Sequence, residues 1–393
     1  MADKYLYQDQ LEDDFERVPL DLYRCKACGH VQLLTIVDPA TLWSDFTFQT
    51  GRTKGLVEHY DRMAEHVVTH YLKGLEGYVL DVGSNDGTLL KQFQSRGFSV
   101  LGVDPAKEIA EKAIASGVPT LIDYMTPDFA RRILSERGPA KAITATNVFA
   151  HADDLKGMLE AIHILLDQNG VFVFEASYLL DILEKNLVGT IFHEHLSYHA
   201  VSPLVAFFQA QDMELIAVER NAIQGGSIVG FVRHKKSNIF SMDSSVGSMI
   251  KEERDRGIND GNALKRFVEG ISLARENIKK ALGSDGRLAG FGSARSATTF
   301  LAVYDLGSRI DFIVDDNTDK QNKFTTGNHI RILPVKELYN QMPQMTVILA
   351  WVHTKKIIAG NRKYIDEGGI FLTLHPEVKL VHRDNYDEVC RMS

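Results

Sequence analysis

The stretch VLDVGSNDGT, residues 79–88, runs from an apolar strand into a turn with two glycines, and a helical pattern follows it. Gly83 and Gly87 carry no Cβ, so the backbone of the turn can approach a bound molecule closely. The helix that follows points its free N–H groups toward the same place. This order of strand, glycine turn and helix predicts a nucleoside-binding unit in an α/β fold.

The next predicted strand supplies an acidic residue where such a unit requires one. The strand over residues 99–103 ends at Asp104, seventeen positions beyond Gly87. An acid there can accept hydrogen bonds from both ribose hydroxyls of a nucleoside. The dinucleotide fingerprint does not fit, because a third glycine is absent and Asp81 stands at the first strand's end. The pattern resembles instead the AdoMet loop of class I methyltransferases, with an ordinary βα turn as the plain structural alternative.

Composition places the chain among soluble globular proteins with more than one domain. It has 393 residues, of which 44% are hydrophobic and 24% charged. A net charge of -8 argues against nucleic acid as the main partner. No apolar run reaches the ~18–20 residues that span a bilayer, and the acidic N-terminal stretch is unlike a signal peptide. Three cysteines are too few for a disulfide framework, so we expect a cytoplasmic protein.

Strand and helix patterns divide the chain into three predicted domains. Residues 1–45 form a small head that contains Cys25 and Cys28. Residues 46–260 alternate strands with amphipathic helices, which implies a parallel sheet covered on both faces. The end of this domain, residues 236–262, reads as a polar and partly helical link. The strands predicted in the central domain are Tyr78–Gly83, Ser99–Asp104, Ala142–Asn147 and Gly170–Glu175.

The pattern of strands and helices in residues 261–393 predicts a second α/β unit. A helix over Ala263–Leu282 leads to the segment Arg287–Thr298, which again joins a strand to a glycine turn and a helix. Further strands are predicted over Ile310–Asp315 and Val347–Trp351. The second glycine turn suits a phosphate or a pyrophosphate, and packing alone also explains it.

A second concentration of chemical groups lies in IFHEHLSYH, residues 191–199. A zinc site of the H-E-x-x-H type would place its histidines one helical turn apart, whereas one residue separates His193 from His195. Chance histidines in a solvated loop are the other plain explanation. Imidazoles beside an acid suit proton abstraction next to a carbonyl, because their pKa lies close to neutral pH. His151 follows a predicted strand, where α/β sheets place ligands, and can bind the same substrate.

These motifs together resemble the deoxysugar C-methyltransferases, which use AdoMet to methylate C-3 of a nucleotide-linked 4-keto-6-deoxysugar. The resemblance covers essentially the whole chain. It implies an α/β fold with a class I AdoMet methyltransferase Rossmann-like domain, a small N-terminal cysteine-containing head and a C-terminal Rossmann-like domain. The motifs that carry it are DVGSNDG (81–87), Asn147 with His151, FHEHLSY (192–198), GGS (225–227), GFGSAR (290–295) and AWVH (350–353).

The resemblance also implies residue roles. His195 would be the base that removes the C-3 proton, and Glu194 would orient the substrate or that base. His151 would bind the 4-keto oxygen. The C-terminal domain would face the nucleotide of the sugar. The residues implied for AdoMet are Asp81, Gly83, Asn85, Gly87, Asp104 and Asn147.

Two features depart from the family pattern. The family begins its histidine motif with tyrosine where this chain has Phe192, and a second expected aromatic is Phe46 or Phe48. Without those hydroxyls, either His151 and His193 carry the enolate alone or the substrate differs. The family head holds zinc through two cysteine pairs. The head of this chain has one pair, so we predict no complete metal site.

Two other classes of function stay open. An NAD-dependent nucleotide-sugar oxidoreductase would use the turn at 287–295, and a third glycine there would favour it. A non-catalytic AdoMet-binding relative would suit the phenylalanine substitutions. Because the histidines and the glutamate of the motif are all present, the sequence favours an active enzyme. The oligomeric state is not predicted.

Overall fold

The computed structural model describes residues 4–13, 17–38, 42, 49–52, 54–283 and 287–391, and Phe46 and Phe48 lie outside them. The strands in chain order are β1 (Tyr5–Leu6), β2 (Leu22–Arg24), β3 (Val31–Leu33), β4 (Tyr78–Val82), β5 (Ser99–Val103), β6 (Thr120–Leu121), β7 (Ala140–Thr146), β8 (Leu166–Ser177), β9 (Ser197–Tyr198), β10 (Met213–Asn221), β11 (Ser227–His234), β12 (Leu288–Phe291), β13 (Ile310–Asp315), β14 (Phe324–Thr325), β15 (Arg331–Pro334), β16 (Met345–Ile348), β17 (Ile370–Thr373) and β18 (Lys379–Val381).

Helices alternate with these strands along most of the chain. They are α1 (Lys54–Tyr71), α2 (Thr88–Ser95), α3 (Lys107–Ala115), α4 (Pro127–Arg137), α5 (Leu155–Leu165), α6 (Leu179–Glu184), α7 (Val201–Gln209), α8 (Ser244–Asp255), α9 (Asn262–Leu282), α10 (Arg295–Val303), α11 (Lys336–Gln341), α12 (Thr354–Gly360), α13 (Arg362–Asp366) and α14 (Tyr386–Arg391). Among these described helices, none is long and apolar enough to cross a membrane.

One sheet of seven strands has the order β10-β11-β8-β7-β4-β5-β6. The five strands from β8 to β6 run parallel, whereas β10 and β11 pair antiparallel at one edge. The parallel strands are nearly continuous apolar runs, as expected where helices cover both faces. The predicted parallel sheet is therefore confirmed, and the turn after β4 lies at its centre.

Helix α1 packs against this sheet through a narrow apolar face. Ala64 and Val67 on α1 are completely buried, and they share one core cluster with Phe93 on α2 and Val173 on β8. Burying a large aliphatic or aromatic side chain of this kind contributes ~1.5–3 kcal/mol. The packing fixes α1 and α2 beside the strand ends where β4 enters its turn.

A second sheet of eight strands has the order β1-β14-β15-β13-β12-β16-β17-β18. Its central strands β15, β13, β12, β16 and β17 are parallel, and the outer pairs are antiparallel. This sheet confirms the predicted C-terminal Rossmann-like unit. The predicted strand over Val347–Trp351 ends at Ile348 instead, because the chain turns into a 3₁₀ helix over Trp351–His353.

The head contributes a small third sheet, with the order β2-β3-β9. Val31 lies opposite Tyr198 and Gln32 opposite Ser197, so the head hairpin pairs with the end of the histidine-rich segment. Between β2 and β3 the chain reverses, and there the N–H of Cys25 donates to the carbonyl of His30 at 2.8 Å.

The chain divides into two compact units. One comprises residues 22–180 and 196–261, and the other residues 1–21, 181–195 and 262–393. This division differs from the three predicted domains, because residues 1–21 and 181–195 group with the C-terminal sheet. Strand β1 pairs with β14 in that sheet, and the hydroxyl of Thr299 on α10 donates to the carbonyl of Ile191 at 2.6 Å. The segment predicted as a link, residues 236–262, contains the regular helix α8.

Candidate active site

The turn after β4 is held in a conformation that requires glycine. Gly83 has φ +65°, and its N–H donates to the carbonyl of Val103 at 2.8 Å, which ties the turn to the end of β5. A Cβ at Gly83 would lie 2.3 Å from Cγ2 of Val148. Gly87 is also left-handed, with φ +76°, just before α2. The glycine turn predicted from the sequence is therefore present. It is a tight turn at a helix N-terminus, and its glycines leave the backbone accessible.

Asp104 lies beside this turn with its carboxylate fixed. One carboxylate oxygen accepts from the N–H of Asn85 and the other from the N–H of Ala106, both at 2.8 Å. Burial raises the pKa of this carboxyl, although both backbone hydrogen bonds oppose the shift. A carboxylate oxygen has two lone-pair sites, so each oxygen can accept one more hydrogen bond. The arrangement suits a pair of neighbouring hydroxyls, as on a ribose.

The side chain of Asn85 also connects the glycine turn to a neighbouring segment of the chain. Its amide oxygen accepts from the N–H and the hydroxyl of Thr50, at 3.0 and 3.2 Å. A second hydrogen bond joins the same two segments, since the N–H of Gly51 donates to the carboxylate of Asp86 at 2.9 Å. These bonds attach the segment before α1 to the glycine turn, so the Asn85 side chain holds the turn together.

Asp81 lies deeper in the sheet, at the end of β4. It is 2% exposed and accepts a hydrogen bond from the hydroxyl of Thr144 at 2.6 Å, in register on the neighbouring strand β7. Burial raises the pKa of Asp81 to about 7, with Thr144 opposing the shift and Asp104 adding to it. Asp81 therefore changes its charge close to neutral pH.

A buried group at the same sheet edge was missed by the sequence reasoning. Glu175, near the end of β8, is completely buried and contacts His59 of α1, whose Nε2 lies 2.8 and 3.0 Å from the two carboxylate oxygens. The side-chain amide of Asn221 donates to the same carboxylate at 3.0 Å. The backbone N–H of Asn147 donates to the Glu175 carbonyl at 2.8 Å. The sequence did contain a signal for this group, because Glu175 is an acidic residue at the end of a predicted strand.

His195 is fixed by a backbone carbonyl. Its Nδ1 lies 2.8 Å from the carbonyl oxygen of Thr190, which can only accept, so Nδ1 carries the proton. In the neutral ring the lone pair is then on Nε2, the atom that acts as a base. The ring of Phe192 lies 4.0 Å away, centroid to centroid. The geometry sets both the tautomer and the orientation of the imidazole.

The two residues that precede His195 in the motif, Glu194 and His193, contact other parts of the chain. Glu194 is 5% exposed, and its carboxylate lies 3.2 Å from the guanidinium of Arg295. Nε2 of His193 donates to the backbone carbonyls of Val18 and Pro19, at 3.1 and 3.2 Å, and burial lowers the pKa of His193. The contacts therefore give Glu194 an ion-pair partner and give His193 an anchoring role for the N-terminal segment.

His151 and the first part of the histidine motif, residues 191–195, belong to different units. His151 follows β7, in the unit with the glycine turn, and its backbone N–H donates to the carbonyl of Val148 at 2.8 Å. Residues 193–195 belong to the unit with the C-terminal sheet. Within the first unit the structure brings together Asp81, Gly83, Asn85, Gly87 and Asp104.

The C-terminal sheet repeats the geometry of the first glycine turn. The N–H of Gly292, with φ +86°, donates to the carbonyl of Val314 at 2.8 Å. Asp315 accepts from the N–H groups of Ser293 and Asn317, at 2.7 and 2.8 Å. Arg295 stands where a dinucleotide fingerprint, counted from Gly290, has its third glycine. The turn thus has an acidic residue where a nucleoside-binding unit requires one, but it lacks the third glycine of the dinucleotide fingerprint.

The cysteine pair of the head is solvent-accessible. Cys25 and Cys28 are both free thiols and exposed. Hydrogen bonds from the backbone of Cys28 and Ala27, and from the Cys28 side chain, lower the pKa of Cys25. Within the described part of the chain, no cluster of three or more His, Cys, Asp or Glu side chains is arranged to hold a metal ion.

Comparisons with known proteins agree with this architecture. Residues 56–219 match the family model of a methyltransferase domain, and residues 222–376 match that of a C-methyltransferase C-terminal domain. The C-methyltransferase NovU of Streptomyces niveus is 28% identical over 372 residues, which is 93% of this chain and 88% of that protein. The uncharacterized methyltransferase OB1106 of Oceanobacillus iheyensis is 29% identical over 143 residues, 35% of this chain and 62% of that protein.

Solved structures of other proteins align with about half of the chain. The magnesium protoporphyrin IX methyltransferase of Synechocystis PCC 6803 aligns with a TM-score of 0.37 and 14% identity, over 49% of this chain and 91% of that one. The PH0226 protein of Pyrococcus horikoshii OT3 aligns with a TM-score of 0.38 and 16% identity, over 51% of this chain and 97% of that one.

Proposed function

Because this chain is an AdoMet-dependent C-methyltransferase, we propose that it methylates C-3 of a nucleotide-linked 4-keto-6-deoxysugar. The observation that carries the proposal is His195, whose Nδ1 donates to the Thr190 carbonyl and leaves Nε2 as the basic atom. A methyl group is transferred to carbon only when that carbon is made nucleophilic. A fixed imidazole base meets this requirement for a carbon next to a ketone.

The 4-keto group explains why a single base is sufficient. A C–H bond beside a carbonyl is far more acidic than an ordinary sugar C–H. His195 takes the C-3 proton on Nε2, and the electron pair of that bond forms an enolate with the keto oxygen. His151 is our candidate donor for the negative oxygen, since Phe192 has no hydroxyl to offer.

The glycine turn after β4 fits the adenosyl group of AdoMet. Gly83 and Gly87 keep the backbone open, and the Asp104 carboxylate retains acceptor capacity for two hydroxyls. When bound there, AdoMet supplies the methyl group that the nucleophilic carbon takes up. The chain itself contributes binding, orientation and the exclusion of water.

We assign the nucleotide of the substrate to the carboxyl edge of the C-terminal sheet, where α/β sheets bind ligands. The rings of Trp351 and His375, which follow β16 and β17, lie 4.7 Å apart and offer an aromatic surface for a base. Burial lowers the pKa of His375 to about 4, so this ring is neutral. Arg295 at the start of α10 supplies positive charge toward a diphosphate.

The sugar part of the proposal rests on the FHEHLSY and GGS motifs and their family resemblance. The test is to incubate the purified protein with AdoMet and a panel of nucleotide-linked 4-keto-6-deoxysugars. We expect one member of the panel to gain the mass of one methylene, with S-adenosylhomocysteine formed in equal amount. A matched panel of the corresponding 4-hydroxy sugars should not react, because their C-3 proton is not acidic. Methylation of the 4-hydroxy sugars, or of oxygen, would refute the proposal.

A further inference from the structure

The carbonyl that fixes His195 belongs to a short 3₁₀ helix, Val188–Thr190, which precedes the histidine motif. This helix is buried throughout. The hydroxyl and the N–H of Thr190 both donate to the carbonyl of Leu187, at 2.7 and 3.0 Å. Each polar group of Thr190 thus has a partner. Its carbonyl therefore meets the imidazole of His195 only while the 3₁₀ helix keeps its position.

Helix α10 packs very closely against this 3₁₀ helix, and the contact is made at Gly189. A Cβ at Gly189 would lie 2.8 Å from Cβ of Ser296 and 2.8 Å from Cζ of Phe300, both on α10. Ser296 and Phe300 are themselves buried. Carbon atoms in ordinary contact are ~3.5–4.0 Å apart, so only glycine allows so close an approach. The position of the 3₁₀ helix is therefore set by α10.

A hydrogen bond from α10 fixes the residue that directly follows the 3₁₀ helix. Thr299, which is 4% exposed, donates its hydroxyl to the carbonyl of Ile191 at 2.6 Å. Ile191 is the next residue after Thr190, so this bond acts one peptide group away from the carbonyl that holds His195. A buried carbonyl that loses its donor is costly, and the segment that carries it would move to find another.

We infer that Thr299 is a positioning residue for the proposed base, and that it sets the tautomer and the orientation of His195 through the carbonyl of Ile191. Gly189 provides the close approach of α10 that this hydrogen bond requires. All of these residues belong to the same compact unit. The catalytic meaning of the inference rests on the proposed function, whereas the tautomer of His195 can be measured without any substrate.

The test determines the tautomer of His195 by nitrogen NMR on isotopically labelled, full-length protein, with His195→Ala to identify the signals. We expect the wild type to keep the proton on Nδ1. Thr299→Val has nearly the same shape but no hydroxyl, and should move roughly half of the population or more to the form with the proton on Nε2. Thr299→Ser keeps a hydroxyl and should retain the wild-type tautomer. A wild-type tautomer in folded Thr299→Val would overturn the inference.

Thr346→Val is the matched control. Thr346 is completely buried in the C-terminal sheet, and its hydroxyl donates to the hydroxyl of Tyr364 at 2.9 Å. The variant loses a buried hydrogen bond of the same kind and should leave the proton of His195 on Nδ1. An equal change in Thr346→Val would overturn the inference, because the effect would then come from general destabilisation. Thr299→Ala removes the same hydroxyl and decides the question if Thr299→Val does not fold.

A kinetic measurement connects the tautomer to the reaction. With a sugar that the panel identifies as a substrate, Thr299→Val should lower kcat at least about tenfold and leave the KM for AdoMet within about twofold. Thr299→Ser should restore kcat. An unchanged kcat in Thr299→Val would overturn the role in the reaction. If no sugar of the panel is methylated, the proposed function fails, while the tautomer measurement still decides whether Thr299 positions His195.

Discussion

The carboxylate of Glu194 and the guanidinium of Arg295 lie 3.2 Å apart, which joins the histidine motif to the C-terminal glycine turn. The carboxylate side is 6% exposed and the guanidinium side 24%. The sequence reasoning treated the two motifs separately and gave Glu194 a role beside the base. The ion pair shows that one motif positions the other, since Arg295 begins the helix that follows the turn.

Removing one partner of this pair should destabilise the fold. Arg295→Met leaves a buried carboxylate without its cation, and we expect a loss of about 1–3 kcal/mol in the free energy of unfolding, measured with urea. Arg287→Met is the matched control, because the ion pair of Arg287 with Asp311 is mostly exposed. This variant should change the free energy of unfolding by less than about 0.5 kcal/mol. Equal effects of the two variants would contradict a structural role for the buried pair.

Asp104 should contribute directly to cofactor affinity. Asp104→Ala removes the carboxylate that sits beside the glycine turn, and we expect AdoMet binding to weaken by about 1–2 kcal/mol, as for a lost hydrogen bond to a charged group. Titration calorimetry measures this, with Asp128→Ala as control, since Asp128 is 95% exposed on α4. An unchanged affinity in a folded Asp104→Ala protein would remove Asp104 from the binding site.

Much of this turn was predictable because its signals are local. Asp104 ends a short apolar strand, and Gly83 must be glycine for the backbone reason argued above. The partners of the buried acids were not predictable, because they come from distant parts of the chain. His59 and Glu175 are 116 positions apart, and no periodic pattern links them. Strand β1 has two residues, too few to show any periodicity, so its pairing with the C-terminal sheet was missed.

The stability of the protein should fall as the pH rises through the range set by Asp81. An aspartate titrates near pH 3.9 in an unfolded chain, whereas burial raises the pKa of Asp81 to about 7 in the folded protein. Between these values the folded state keeps a proton that the unfolded state has released. The free energy of unfolding therefore decreases with pH over that window and levels off above it.

Asp81→Asn isolates this contribution. From pH 4 to pH 7, the free energy of unfolding of the wild type should fall, relative to that of the variant, by on the order of 3–4 kcal/mol. Above about pH 8 the difference should be constant. Urea titrations at pH 4, 5, 6, 7 and 8 measure it. A difference that does not depend on pH would show that Asp81 is ionised throughout.

The head should not hold a stoichiometric zinc ion through its own cysteines. Two thiolates supply half of a closed tetrahedral site, and Cys25 and Cys28 are the pair that the head offers. Metal analysis of protein purified without added zinc should give well under one equivalent, and chelator treatment should leave the unfolding midpoint unchanged. One tightly bound zinc per chain would prove this wrong and would point to ligands from elsewhere, with His30 the first to test.

His195 should be required for proton removal but not for cofactor binding. His195→Ala should lose both methyl transfer and exchange of the substrate C-3 proton with deuterated water, by roughly 10²–10⁴-fold. Exchange needs no methyl donor, so mass spectrometry of the sugar without AdoMet reports on the base alone. AdoMet affinity should match the wild type.

His193→Ala is the matched control, since His193 lies two positions away and its Nε2 is occupied by backbone carbonyls. We expect it to keep exchange within about tenfold of the wild type, because removing it weakens the anchoring of the N-terminal segment and takes no proton-accepting group from the substrate. Exchange at the wild-type rate in His195→Ala would exclude His195 as the base. Loss of exchange in His193→Ala alone would transfer the role to that residue.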